Sequence, residues 1–369
     1  MSESSRRDTA SGGVGGALAG AIGAVIVDRD ASGTVGVSYR AHPRPVPGAG
    51  ELLVRPAFVG ICGSDLEQLH GGMPESFVIA YPHVLGHEWA GVVVETGPGA
   101  SRFSAGDRVL GHGDLGGNSW FGVTHDGAMA ELFTVSETMC FAVPESVELQ
   151  TAAIIEPFVC VFTALQRVGG VSASDTVHVY GLGAIGLSAV IQAATAGAEV
   201  VVFDPSAPRR ELALALGAAV AVDPLGAEAD GDPLEVVERE TGRRLADLVV
   251  EASGAPSAQA AALESADDRG RVLLMGVSVP RAVPSRLGLV QQRGLTVSSS
   301  TGAPPEYWAP AIRFVERRGI DLSVLVSSTL DFADIAEAVR RAEDSRHEIK
   351  VLVRPGATPS THAENGAPR

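Results

Sequence analysis

Cysteine is scarce: the chain has three in 369 residues, Cys62, Cys140 and Cys160. So few cannot build a disulfide framework and suit a reducing compartment, so a cytoplasmic location is expected. Lysine is scarcer still. All but one of the 28 basic side chains are arginine, the exception being Lys350, a bias that reads as nucleotide composition rather than physics. Against 44 acidic residues they leave a formal charge of −16. Such a field repels phosphate backbones and acidic headgroups, which argues against a nucleic-acid or membrane partner and leaves any anionic ligand to be held by local features. Long apolar runs are missing as well, since no window approaches the roughly 18 uninterrupted residues of a membrane span.

What the chain has is glycine, 44 residues of it, in a composition 45% hydrophobic and 20% charged that is typical of an α/β protein. Its length suggests about two domains. The Arg6-Arg7 pair ahead of the mildly apolar stretch Val14 to Val27 has the outline of a twin-arginine export signal. Glycines interrupt that stretch, and 24–27 reads as a first strand, so residues 1–20 are expected to be a disordered tail, as are 356–369.

From Ala24 to about Phe158 the chain runs in short β-type segments (24–27, 51–57, 90–95, 108–110, 130–135) separated by Gly, Pro and Asp, the pattern of an irregular β-rich domain. The rhythm then changes. Strands at 176–180, 199–203, 248–251 and 271–275 alternate with helices at 184–196, 208–216 and 258–266, which implies a doubly wound parallel sheet. Helices at 307–318 and 332–343 and a strand at 350–353 follow.

The run Gly181-Leu182-Gly183-Ala184-Ile185-Gly186 follows a strand and opens a helix. Gly181 permits the tight turn, Gly183 lets backbone amides approach a pyrophosphate, Gly186 lets helix pack on sheet, and the helix N-terminus faces the phosphates. Asp204 closes the next strand, where a carboxylate accepts from the adenosine ribose hydroxyls and repels a 2′-phosphate, favouring NAD over NADP. Arg209 and Arg210 follow it, and a basic pair there either tolerates a phosphate or faces solvent. Upstream, Cys62 in Gly-Ile-Cys-Gly-Ser-Asp and His87-Glu88 in Val-Leu-Gly-His-Glu bring thiolate, imidazole and carboxylate together, a set suited to zinc with a position left open for substrate. In extended backbone His87 and Glu88 would diverge, which leaves Glu88 either a ligand or a group supporting one.

These motifs, with Gly-Asp-Arg-Val at 106–109 and Ile-Glu-Pro at 155–157, resemble in order and spacing those of the zinc-dependent medium-chain alcohol and polyol dehydrogenases, over about Gly23 to Pro355. The resemblance implies a GroES-like catalytic domain, residues 1–162 and 303–369, around a Rossmann NAD-binding domain, residues 163–302. It implies hydride transfer between a secondary alcohol of a polyol, cyclitol or sugar-like substrate and NAD. Glu156 matches the glutamate of the polyol, threonine and glucose branches, so the candidate ligands are Cys62, His87, Glu88 and Glu156, with the inner carboxylate left open between the last two. Asp65 resembles the acid that orients the imidazole, Ser64 the relay hydroxyl, and Arg209 a basic position beside the ribose. Glu67 stands where many relatives have a relay histidine. The cysteine cluster of a second, structural zinc is absent, so one zinc per chain is expected, and the lobe at 111–126 must hold itself by packing and hydrogen bonds or be more mobile. Cys160 is expected to pack in the core, and a homodimer or homotetramer is implied. A simple alcohol or amino-alcohol substrate, a zinc-free reductase and a non-catalytic dinucleotide-binding protein are the alternatives.

Overall fold

Apolar runs cut by glycine and proline form eight strands in the first part of the computed structural model: β1 (Ala21–Arg29), β2 (Val35–Pro43), β3 (Glu51–Gly60), β4 (His83–Val84), β5 (Glu88–Thr96), β6 (Arg108–Gly111), β7 (Phe133–Ser136) and β8 (Cys140–Ala142). The structure describes residues 20–74, 76–226, 232–276, 282–300, 302–344 and 346–356. The tails expected at 1–20 and 356–369 thus lie, apart from Gly20 and Gly356, outside the described residues.

The second set centres on the buried apolar runs of β9 (Thr176–Tyr180), β10 (Glu199–Phe203) and β12 (Ala246–Glu251), flanked by the more exposed β11 (Val220–Val222), β13 (Ala266–Leu274) and β14 (Thr296–Ser299). They pair in parallel in the order β11-β10-β9-β12-β13-β14. This is a doubly wound Rossmann sheet, and its order reverses beside β9, so the crevice beyond the carboxyl ends of β9 and β12 is where a ligand belongs. Helices Ala184–Thr195, Ala207–Ala215, Pro233–Thr241 and Pro256–Ser265 make the crossovers.

The chain then returns to the first part through the helix Pro305–Arg318, β15 (Val326–Asp331), the helix Ile335–Glu343 and β16 (Lys350–Arg354). β16 pairs with β3 in the seven-stranded sheet β15-β16-β3-β5-β6-β8, to which β7 is added on β3. β2, β1 and β4 form a separate three-stranded sheet. No helix among the described residues is long and apolar enough to cross a membrane.

Several boundaries differ from expectation. The strand expected at 130–135 begins at Phe133, Ala130 forming only an isolated bridge with Ala24. The helix expected from Ala258 starts at Pro256, whose fixed φ suits a first helical turn. β13 starts at Ala266 rather than Arg271, because pairing with β12 holds the unstrandlike Asp267-Asp268-Arg269-Gly270 in an irregular register.

Candidate metal and dinucleotide site

β3 ends at Gly60, and Cys62 caps the helix Gly63–His70, its backbone N–H donating to Asp65 Oδ2 at 2.9 Å. Gly86, at φ +102°, brings the next loop in close, since a Cβ there would meet Met129 Cγ at 2.7 Å and Val59 Cγ1 at 2.8 Å. His87 therefore lies just outside β5 and Glu88 is its first residue, so strand alternation does not force the pair apart. One ligand atom each of Cys62, His87 and Glu88 lie within 4.8 Å of one another, with His87 and Glu88 buried.

The His87 ring is held from both sides. Nε2 is 3.5 Å from Ser64 Oγ, and Nδ1 faces Asp65 Oδ1 at 3.6 Å, both of these last atoms being buried without a hydrogen-bond partner. Burial by itself would depress the imidazole, but Asp65 and the Cys62 sulfur outweigh it and hold its pKa well above the ordinary value. Burial pushes the Asp65 carboxyl up, against the pull of His87. The pocket favours positive charge. A sulfur, an imidazole nitrogen and a carboxylate converge there, and an outer ring nitrogen turned to an acid is how a ligating histidine is oriented, so these residues fit a zinc ion.

Glu88 has a partner that sequence reasoning passed over. Lys350 Nζ donates to Glu88 Oε1 at 2.9 Å and Oε2 at 2.7 Å, and to the Ile61 carbonyl at 3.0 Å. Gly60, directly across the β3–β5 ladder, makes room for this carboxylate, because a Cβ at 60 would lie 2.2 Å from Glu88 Oε2. Glu156, in the first turn of the buried helix Ile155–Arg167, is not in the mutually close set. Burial and the Glu88 charge push its carboxyl up, and it accepts a hydrogen bond from Cys160 Sγ at 3.4 Å. Burial, with Glu156 beside it, raises the Cys160 thiol well above its ordinary range, and the side chain packs in the core. Glu67 sits on the exposed face of its helix against Gly72, with no hydrogen bond to Ser64 among the described residues.

The glycine run has the close contacts a dinucleotide loop needs. Gly181, at φ +86°, abuts the turn after β12, where its Cβ would lie 2.6 Å from Ser253 Cβ, and a Cβ on Gly186 would lie 1.8 Å from the Gly181 carbonyl. Gly183 caps the helix that Ala184, Ile185 and Gly186 begin. Asp204 ties this loop to its own strand end, Oδ2 accepting from Leu182 N–H at 2.7 Å and Oδ1 from Ser206 N–H at 2.8 Å. Each oxygen keeps a lone pair for another donor. Arg209 Nη1 stands 3.9 Å from Asp204 Oδ2 and its other nitrogen donates to the Glu348 carbonyl, while Arg210 donates to the Asp204 carbonyl at 2.7 Å.

The lobe at 111–126 holds itself by packing and hydrogen bonds. Bridges join Asp114 to Trp120 and Phe121 to His125, Thr124 Oγ1 accepts from the Trp120 N–H at 2.8 Å, and Phe121 packs on Trp89 and Phe133. His112 is buried between Phe141 and Trp308. Trp120 packs against Gly302, where a Cβ would come within 2.4 Å of its ring.

Two family models match the chain: an alcohol dehydrogenase GroES-like domain over residues 48–145 and a zinc-binding dehydrogenase over residues 184–317. Sorbitol dehydrogenase of Gallus gallus is 31% identical over 320 residues, covering 80% of this chain and 87% of that protein. Among solved structures, an alcohol dehydrogenase from E. coli CFT073 complexed with NADH aligns with TM-score 0.79 at 27% identity, over 91% of this chain and 99% of that one. A putative zinc-binding dehydrogenase from Sinorhizobium meliloti 1021 bound to NADP aligns with TM-score 0.80 at 27% identity, over the same shares. The chain belongs to the zinc-dependent medium-chain alcohol and polyol dehydrogenases, and is an oxidoreductase with a GroES-like and a Rossmann part.

Proposed function

We propose that this chain carries out reversible oxidation of a secondary alcohol on a polyol, cyclitol or sugar-like substrate, with NAD as hydride acceptor. The observation that carries the reading is the convergence of Cys62, His87 and Glu88 in a chain that also holds a complete dinucleotide cradle. A zinc-free reductase would have no use for that convergence. The substrate class is supported by the sorbitol dehydrogenases among the relatives and by Glu156.

Cys62, His87 and Glu88 would hold the metal, with Glu156 outside this close set. When bound, zinc supplies Lewis acidity that lowers the pKa of a coordinated hydroxyl. Asp65, beside Nδ1, would orient the His87 ring and leave Nε2 to ligate. Ser64 Oγ, close to Nε2, would relay the hydroxyl proton, and Glu67, which is exposed and makes no hydrogen bond to Ser64 among the described residues, would receive it through water. Gly181, Gly183 and Gly186 admit the pyrophosphate, with Ala184 and Ile185 setting the first helical turn against it, and Asp204 accepts from the ribose hydroxyls with Arg209 alongside. NAD so held would accept hydride from the substrate carbon. We place the enzyme in the cytoplasm as a homodimer or homotetramer. The exposed edge strand β14 offers unpaired backbone groups to a second copy.

Elemental analysis should find about one zinc per chain, and a panel of polyols, cyclitols and amino-alcohols with NAD should show turnover concentrated among the polyols or cyclitols. Active protein without zinc, or turnover confined to amino-alcohols, would refute the reading.

A further inference from the structure

The lone lysine of an arginine-rich chain is buried beside the candidate metal ligands, on a strand the chain reaches only after the whole parallel sheet. Its three N–H donors are all used, two by Glu88 and one by the Ile61 carbonyl. No other basic side chain is paired with Glu88 among the described residues.

We propose that Lys350 competes with the metal ion for the Glu88 carboxylate, and so sets how tightly the metal is held. The inference rests on the metal reading given under Proposed function. Glu88 is one of three side chains able to ligate, yet both its oxygens are already engaged by a fixed positive charge. A metal drawing on Glu88 must share it with Lys350 and tolerate a like charge in contact with one of its own ligands. With Glu88 and Lys350 both buried, that repulsion is strong. The arrangement suits a cluster rich in acid. Cys62 and Glu88 lie in one close group with His87, Asp65 faces the His87 ring, Glu156 is near enough for its carboxyl to feel the Glu88 charge, and Lys350 neutralises part of this charge before any metal arrives. Lys350 is thus a positioning residue. It keeps Glu88 aimed across the β3–β5 ladder and keeps the carboxylate from committing fully to the metal.

A purely structural role predicts the opposite response to mutation. If Lys350 only braces Glu88, its loss should loosen the ligand set and weaken the metal. If it competes, its loss frees a buried carboxylate that the metal alone can then neutralise, and the metal should bind more tightly.

The experiment measures zinc affinity of the full chain by competition with a chromophoric chelator, and melting temperature with and without zinc, for the parent, Lys350→Gln, Lys350→Met and Lys350→Arg. The neutral variants should hold zinc about tenfold or more tightly than the parent. Their melting temperatures should fall in the zinc-free form but largely recover with zinc, and Lys350→Arg, which keeps the charge, should bind zinc within about threefold of the parent. Neutral variants that bind zinc no more tightly than the parent overturn the proposal. So does failure of both to fold in excess zinc, since the metal should replace the missing charge. A parent that binds no zinc overturns the metal reading itself, whereas a zinc-binding parent with weaker neutral variants overturns this inference alone.

Discussion

Replacing His178 by glutamine should make the protein's stability less sensitive to acid. His178 lies on β9, the strand beside which the sheet order reverses, with no solvent exposure. Its Nδ1 is 2.5 Å from Ser265 Oγ, Nε2 has no partner, and the ring meets Phe203 edge-on. Burial, aided by the nearby Arg243 charge, lowers its pKa from 6.5 to about 4. The native ring is therefore neutral through a range in which the unfolded ring takes up a proton. Above pH 6.5 neither state binds the proton and the group costs nothing. Between pH 6.5 and about 4 the unfolded state binds more protons, so stability falls as pH falls, and below about 4 the loss is complete. At about 1.4 kcal/mol per pKa unit, the full loss is about 3 kcal/mol. Urea unfolding followed by far-UV circular dichroism at steps from pH 8 to pH 4 should show His178→Gln less stable than the parent at pH 8. It should then gain on the parent by about 3 kcal/mol by the acid end, with other titrating groups cancelling in the difference. A parent-minus-variant difference that does not change across this range would refute the assignment of a neutral buried imidazole.

Two further substitutions probe the cradle and the proton route. Asp204→Ala leaves the Leu182 and Ser206 N–H groups without their acceptor, at a cost of about 1–3 kcal/mol in stability of the dinucleotide-free protein. It should also weaken NAD use while raising relative use of NADP, measured as the ratio of kcat/KM values, and a parent that already favours NADP tenfold would sink the argument. Ser64→Ala should lower turnover by about 10²-fold, with Glu67→Gln costing less because water substitutes at its exposed position. Near-full turnover of Ser64→Ala, with a deuterium isotope effect showing hydride transfer to be rate-limiting, would rule out the relay.

The parallel sheet was legible because buried parallel strands are written as continuous apolar runs, and Val177 to Tyr180 and Val200 to Phe203 have little else. β2 was not. Only Val35, Val37, Tyr39 and His42 are half-buried, the alternation breaks at Arg40-Ala41, and full pairing with β1 carries it as a strand to Pro43. β14, Thr-Val-Ser-Ser with three exposed residues, depends in the same way on β13. At the site, Cys62, His87 and the glycine run stand in motifs that name their chemistry. Lys350 stands in Ile-Lys-Val-Leu-Val, where a charge inside an apolar strand is itself a signal that it has a buried partner.

The choice between Glu88 and Glu156 shows why such a site cannot be finished from local sequence. Side-chain alternation predicts that neighbours in a strand point apart, and it would apply to His87 and Glu88 if both were in β5. The strand begins between them, because the positive φ at Gly86 turns the chain against Met129 and Val59 before pairing starts. Glu88 then needs room and a countercharge, and both come from elsewhere. Gly60 supplies the room across the ladder, and Lys350 supplies the charge from a strand paired on the other side of β3. Replacing Gly60 with any larger residue would drive a Cβ into the Glu88 carboxylate, so a missing side chain 28 positions away leaves the room in which Glu88 sits close to Cys62 and His87.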